Sequence, residues 1–137
     1  MPGENLKLAQ EGYALMNRGE FDRFVNELTH PDYEFHTGVD VPSIPSVVRG
    51  RDELRAWIEQ WYVDPWEDQL QMDVERIEEL EDGRVLALLT LRATGRESGV
   101  QVDTEYAHIL TLRDRLCVRC DGFPSWKQAL AAAGKSG

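Results

Sequence analysis

A carboxylate, an imidazole and a set of aromatic rings are the groups in this sequence with chemistry to offer. In the segment at 116–123, LCVRCDGF, strand alternation puts Cys117, Arg119, Asp121 and Phe123 on one face. If that face turns inward with Phe123, Asp121 loses water. Desolvation raises a carboxyl pKa toward the range where it can move protons. The alternative is a carboxylate at the sheet rim, solvated or paired with Arg119. His108 shares a strand face with Tyr106 and Leu110. An imidazole titrates near neutrality, so beside Asp121 it completes an acid–base pair. Alone, it is a buried structural histidine.

Trp57 and Trp61 stand four residues apart, and so share one face of a helix. Tyr13, Phe35 and Tyr106 are candidates to approach them. Such a set either lines an apolar pocket with a few polar tips or simply fills the core. The three histidines, His30, His36 and His108, have no helical ligand spacing. Cys117 and Cys120 form a CxxC pattern inside a strand, where positions three apart face opposite sides. Neither a metal nor any other cofactor is expected.

The elements that must position these groups follow from periodicity. Leu6, Ala9, Tyr13 and Met16 recur at helical spacing over residues 5–17, and Gly19 closes that helix. Phe21, Phe24, Val25 and Leu28 mark a short second helix. Residues 33–37 read as a short strand, and 38–50 as a loop suited to a rim or lid. Leu54, Trp57, Ile58 and Trp61 give a third helix one apolar face, and Asp64-Pro65 ends it. Leu70, Met72 and Val74 alternate as a half-buried strand. The pattern slips before Ile77, which marks Glu75-Arg76 as a candidate bulge. Asp82-Gly83 signals a hairpin. Strands follow at 85–91, 100–112 and 116–123, and Ser125 caps a last helix ended by Gly134.

Composition bounds the rest. The chain has 137 residues, 42% of them hydrophobic, which suits a single domain over 1–137 with one core. A net charge of −10 argues against a nucleic-acid partner. No apolar run reaches membrane-spanning length, and the expected compartment is the cytoplasm. Residues 85–91 are almost wholly apolar, so both faces of that strand need cover. A homodimer would supply it.

The element order, with GRVLALLTLRATGRESGVQVD, AHILTLRDRLCVRCDGFP, QALAAAG and HPDYEF, resembles the SnoaL-like branch of the nuclear transport factor 2-like superfamily. The resemblance covers nearly the whole chain. It implies an α+β cone: a curved antiparallel sheet covered by helices around a central pocket. Relatives in that superfamily include polyketide cyclases, ketosteroid isomerase, dehydratases and limonene epoxide hydrolase. In the SnoaL-like cyclases and the epoxide-hydrolase relatives an acid near the place of Asp121 does the proton work. Arg92 matches the arginine of the Asp-Arg-Asp arrangement in epoxide-hydrolase relatives, but Thr94 stands where the second acid belongs. Epoxide hydrolysis is therefore not implied. The expected function is binding of a small hydrophobic or polyketide-like molecule, with or without isomerase, cyclase or hydratase chemistry. Asp121, His108 and Arg92 would be catalytic. Tyr13, Phe35, Trp57, Trp61, Tyr106 and Arg119 would contact the ligand. The alternative is a noncatalytic ligand-binding or dimeric interaction module.

Overall fold

The computed structural model describes residues 3–135. Helix α1 (Glu4–Asn17) buries Leu8, Ala9, Tyr13, Leu15 and Met16, the stripe an amphipathic helix must cover. It ends in a Schellman turn: Gly19 has φ 79°, its N–H donates to Met16 O, and the Glu20 N–H donates to Leu15 O. Helix α2 (Phe21–Arg23) runs on as a π-helical turn, Phe24–Leu28. Strand β1 (Thr29–His36) and strand β2 (Val47–Arg49) follow. Helix α3 (Gly50–Ile58) also relaxes into a π-helical turn, Glu59–Val63. Strands β3 (Gln71–Glu79), β4 (Val85–Thr94), β5 (Gln101–Arg113) and β6 (Leu116–Phe123) lead to helix α4 (Trp126–Ala132).

The six strands form one sheet in the order β2-β1-β6-β5-β4-β3. Neighbours are antiparallel except β1 and β6, which run parallel. This is the expected α+β architecture, a curved sheet with helices laid on it. The bulge in β3 is where the slipped alternation places it: Val74 pairs with Leu89 and Arg76 with Leu88, leaving Glu75 as the extra residue. Strand β2 was not foreseen, because three residues inside a proline-rich loop carry no periodicity.

Alternation along β4 divides the interior in two. Val85, Ala87 and Leu89 face inward into the main core with α1 and α3. Leu86 and Leu88 face outward, with Ala107 and Ile109 of β5, under Ala129 and Leu130 of α4. Phe123 and Trp126 pack against that second cluster. The Trp126 indole N–H donates to Leu89 O at 2.8 Å, and Ser125 Oγ accepts the Gln128 N–H at 3.2 Å. The apolar outer face of β4 is therefore covered within the chain, by its own last helix. Covering this face does not require a second subunit. Among the described residues, no helix is long and apolar enough to cross a membrane.

Removing part of this cover should be costly. Leu130→Ala is expected to lower the unfolding free energy by about 2–3 kcal/mol, the transfer term plus the cavity left behind. A urea midpoint indistinguishable from the parent protein would show that α4 does not hold the outer cluster.

Candidate functional site

The inner face of the sheet, α1, α3 and the turn Phe24–Leu28 enclose a cavity of about 70 Å³. Its wall is mainly aliphatic, aromatic and sulfur-bearing, with Tyr13, Phe24, Tyr33, Phe35, Trp57, Tyr62 and His108 as its rings. Arg115 belongs to the wall yet its side chain is 69% exposed, so this side marks the rim. Arg115 pairs there with Glu4.

The polar centre is His108. The Tyr13 hydroxyl lies 2.7 Å from His108 Nδ1, and both side chains are buried. Three rings fix the imidazole. Tyr13 stacks on it with centroids 5.8 Å apart, and Phe35 and Tyr106 meet it edge-on at 5.9 and 5.3 Å. Burial pushes the His108 pKa down to about 4, so the ring is neutral at pH 7. His108 Nε2 is enclosed and has no partner, as is Trp57 Nε1. Burial likewise raises the phenols of Tyr13, Tyr33 and Tyr62 and the thiol of Cys120, and pushes the Cys117 thiol up to about 12.

Tyr106 points the same way as His108, but its hydroxyl is committed. It crosses Gly122 and donates to Thr37 O. A Cβ on Gly122 would lie 2.0 Å from that hydroxyl, so only glycine fits. Thr37 in turn ties down the loop at 38–46: its N–H donates to Ser46 O and its hydroxyl to Pro45 O. That loop does not line the cavity.

The three residues expected to be catalytic are not brought together. Asp121 alternates with Cys120, which lines the cavity, so the carboxylate faces the outer side. It accepts from Arg119 Nε and Nη2 at 2.9–3.1 Å, two residues away on the same face. Arg92 also lies outside, paired with Asp73 at 2.7 Å and Asp103 at 3.7 Å. Only His108 is inside. For Asp121 the physical reason is a bulge in β6. Thr111 pairs with Arg119 but Leu112 pairs with Cys117, so Val118 is an extra residue and parity slips. Cys117 and Cys120 consequently both reach the cavity, and Phe123 turns outward beneath α4.

Of the residues expected to contact a ligand, Tyr13, Phe35 and Trp57 line the cavity. Trp61 packs on Trp57 at 5.3 Å without reaching the wall, Tyr106 stands behind His108, and Arg119 is outside. Tyr33 and Tyr62 were missed. Tyr33 is two residues before Phe35 and Tyr62 four after Ile58, so periodicity held both signals. His30 accepts from the Asp32 N–H at 2.9 Å and His36 contacts Glu34 at 2.8 Å. Among the described residues, no group of three or more His, Cys, Asp or Glu could hold a metal ion.

The SnoaL-like domain family matches the chain over residues 9–120. No curated protein sequence matches it. Among solved structures it resembles a nuclear transport factor 2-like protein of unknown function from Burkholderia pseudomallei. The TM-score is 0.72 and the identity 17%, over 93% of this chain and 95% of that one. It also resembles a Mycobacterium tuberculosis protein in complex with estradiol-17beta-hemisuccinate. There the TM-score is 0.75 and the identity 13%, over 90% and 95% of the two chains. TerC, co-crystallized with polyporic acid, gives a TM-score of 0.71 at 14% identity, over 96% and 99%. These likenesses establish the fold.

The buried imidazole has a pH signature. Its folded pKa, about 4, lies below the 6.5 of a free imidazole, so the unfolded chain takes up a proton that the folded chain refuses. The contribution of His108 to stability is complete above pH 6.5 and is lost as pH falls toward 4. The loss is about 1.4 kcal/mol per pH unit in that window. Urea unfolding at pH 7 and pH 5 should show this extra loss in the parent protein. His108→Gln should remove it; an equal loss in that variant would place the titration elsewhere.

Proposed function

The chain belongs to the SnoaL-like domain family, and we propose that it binds a small, rigid, mainly apolar molecule in the cavity around Tyr13 and His108. The observation that carries this reading is the charge state of the wall. No Asp or Glu lines the cavity. Its phenols and thiols are held protonated and its imidazole neutral by the same burial. A proton-transfer site needs a group with a pKa near the working pH. A binding pocket needs apolar walls with a few oriented polar tips, and this cavity has them. The arrangement therefore favours binding over isomerase, cyclase or hydratase chemistry. The neighbours in complex with estradiol-17beta-hemisuccinate and with polyporic acid support ring-bearing ligands for this fold.

Size sets a condition. The cavity of about 70 Å³ is smaller than the roughly 150 Å³ that holds benzene in an engineered protein core. A ring-sized ligand must displace part of the wall. The turn Phe24–Leu28 is the element placed to yield. It contributes Phe24 and Leu28 to the wall, both half-buried, and its π-helical hydrogen bonding is a rare form frequent at functional sites.

Binding is measurable without knowing the natural ligand. A panel of steroid-like, quinone-like and terpenoid compounds should contain members that change the fluorescence of Trp57. They should also raise the melting temperature, by about 2.7 kcal/mol of stabilisation at a hundredfold excess over Kd. Leu54→Trp, which fills the wall, should abolish both responses. A panel that moves neither signal would remove the binding reading.

A further inference from the structure

Among the described residues, the enclosed side-chain atoms that lack a hydrogen-bond partner are all nitrogens: Arg55 Nη1, Trp57 Nε1, Trp61 Nε1 and His108 Nε2. Trp57 and His108 belong to the cavity wall. An indole nitrogen is always a donor. The role of His108 Nε2 follows from its other nitrogen. If the Tyr13 hydroxyl donates to Nδ1, the single ring proton sits on Nε2, and one donor is left unmatched. If Nδ1–H instead donates to the phenol oxygen, the phenol proton and the Nε2 lone pair are both unmatched. Two unmet groups in a dry space cost more than one. The bond to Tyr13 thus fixes Nε2 as an N–H donor.

Nothing in the wall answers these donors. No Asp, Glu, Asn or Gln side chain lines the cavity. The Tyr62 hydroxyl donates to Met72 Sδ at 3.7 Å, and the Cys117 thiol donates to Arg119 O at 3.4 Å.

We propose that the cavity selects a neutral ligand bearing a carbonyl oxygen, which accepts a hydrogen bond from His108 Nε2–H while its apolar body fills the aromatic wall. This rests on the binding reading above and adds the chemical class. A hydrocarbon of the same shape leaves the donor unmet. An alcohol accepts from it but brings a proton of its own, for which the wall offers no carboxylate or amide. An anion is disfavoured, because a buried charge needs a partner and Arg115 lies at the exposed rim beside Glu4.

Acetophenone, 1-phenylethanol and α-methylstyrene form a matched set: carbonyl, hydroxyl and C=CH₂ on one skeleton. Their affinities are to be compared by ligand-observed NMR titration of the parent protein, His108→Phe and His108→Gln. Acetophenone should bind about tenfold more tightly relative to α-methylstyrene in the parent than in His108→Phe, the worth of one hydrogen bond. His108→Gln, which keeps a donor, should retain part of that preference, and 1-phenylethanol should fall between the other two. In ¹⁵N-labelled parent protein, acetophenone should shift the His108 Nε2–H resonance and α-methylstyrene should not. That measurement stands even if His108→Phe fails to fold. An unchanged ratio in the variant, an imidazole resonance indifferent to acetophenone, or a proton found on Nδ1 would overturn the proposal. So would failure of all three probes to bind. If the steroid- and quinone-like panel still binds, only the carbonyl assignment falls; if that panel is silent too, both readings fall.

Discussion

A pleated strand presents successive side chains to opposite faces, and one extra residue reverses everything beyond it. The cavity depends on one such reversal. Strand β6 joins the two halves of the molecule, pairing parallel with β1 and antiparallel with β5. At Val118 it carries one residue more than β5 opposite it. With the extra residue, Cys117 and Cys120 both face inward, and Arg119 and Asp121 form their ion pair outside. Without it, one of the two thiols would leave the wall. A charged or outward residue would take its place.

That sorting explains the electrostatics of the whole interior. The outer face holds the charges: Arg92 between Asp73 and Asp103, Arg119 with Asp121, and Glu34 with Arg49. There water screens each pair, and their net worth is small. The inner face keeps only groups that lose their charge when dried. Desolvation acts in opposite senses on acids and bases. It raises the phenols and thiols and lowers the imidazole, and so drives every titratable group deep in the cavity to its neutral form. An apolar wall with a few fixed dipoles results.

Local pattern carried most of the fold. The slipped alternation after Val74 located the β3 bulge, because Ile77 breaks an otherwise regular apolar series. The helices were legible from their stripes, and Ser125 from its position before the last one. The site was less legible for three physical reasons. The β6 bulge has no such signature: LCVRCDGF reads as unbroken alternation, since Val118 is as strand-compatible as its neighbours. Phe123 marks an apolar face, but this sheet has two of them. The residue is equally at home in the cluster beneath α4. His108 was correctly seen to share a face with Tyr106, yet its partner, Tyr13, lies 95 positions away on α1. Only packing brings that pair together.

The two cysteines give the cavity a built-in clock. Both thiols are buried and held protonated, and a protonated thiol is a poor nucleophile. An alkylating reagent added to the folded protein can reach them only while the wall is open. The rate of alkylation therefore counts openings rather than reactivity, as amide exchange does for the backbone. No label or inserted probe is needed. The motion that admits a ligand is recorded by atoms already lining the space it enters.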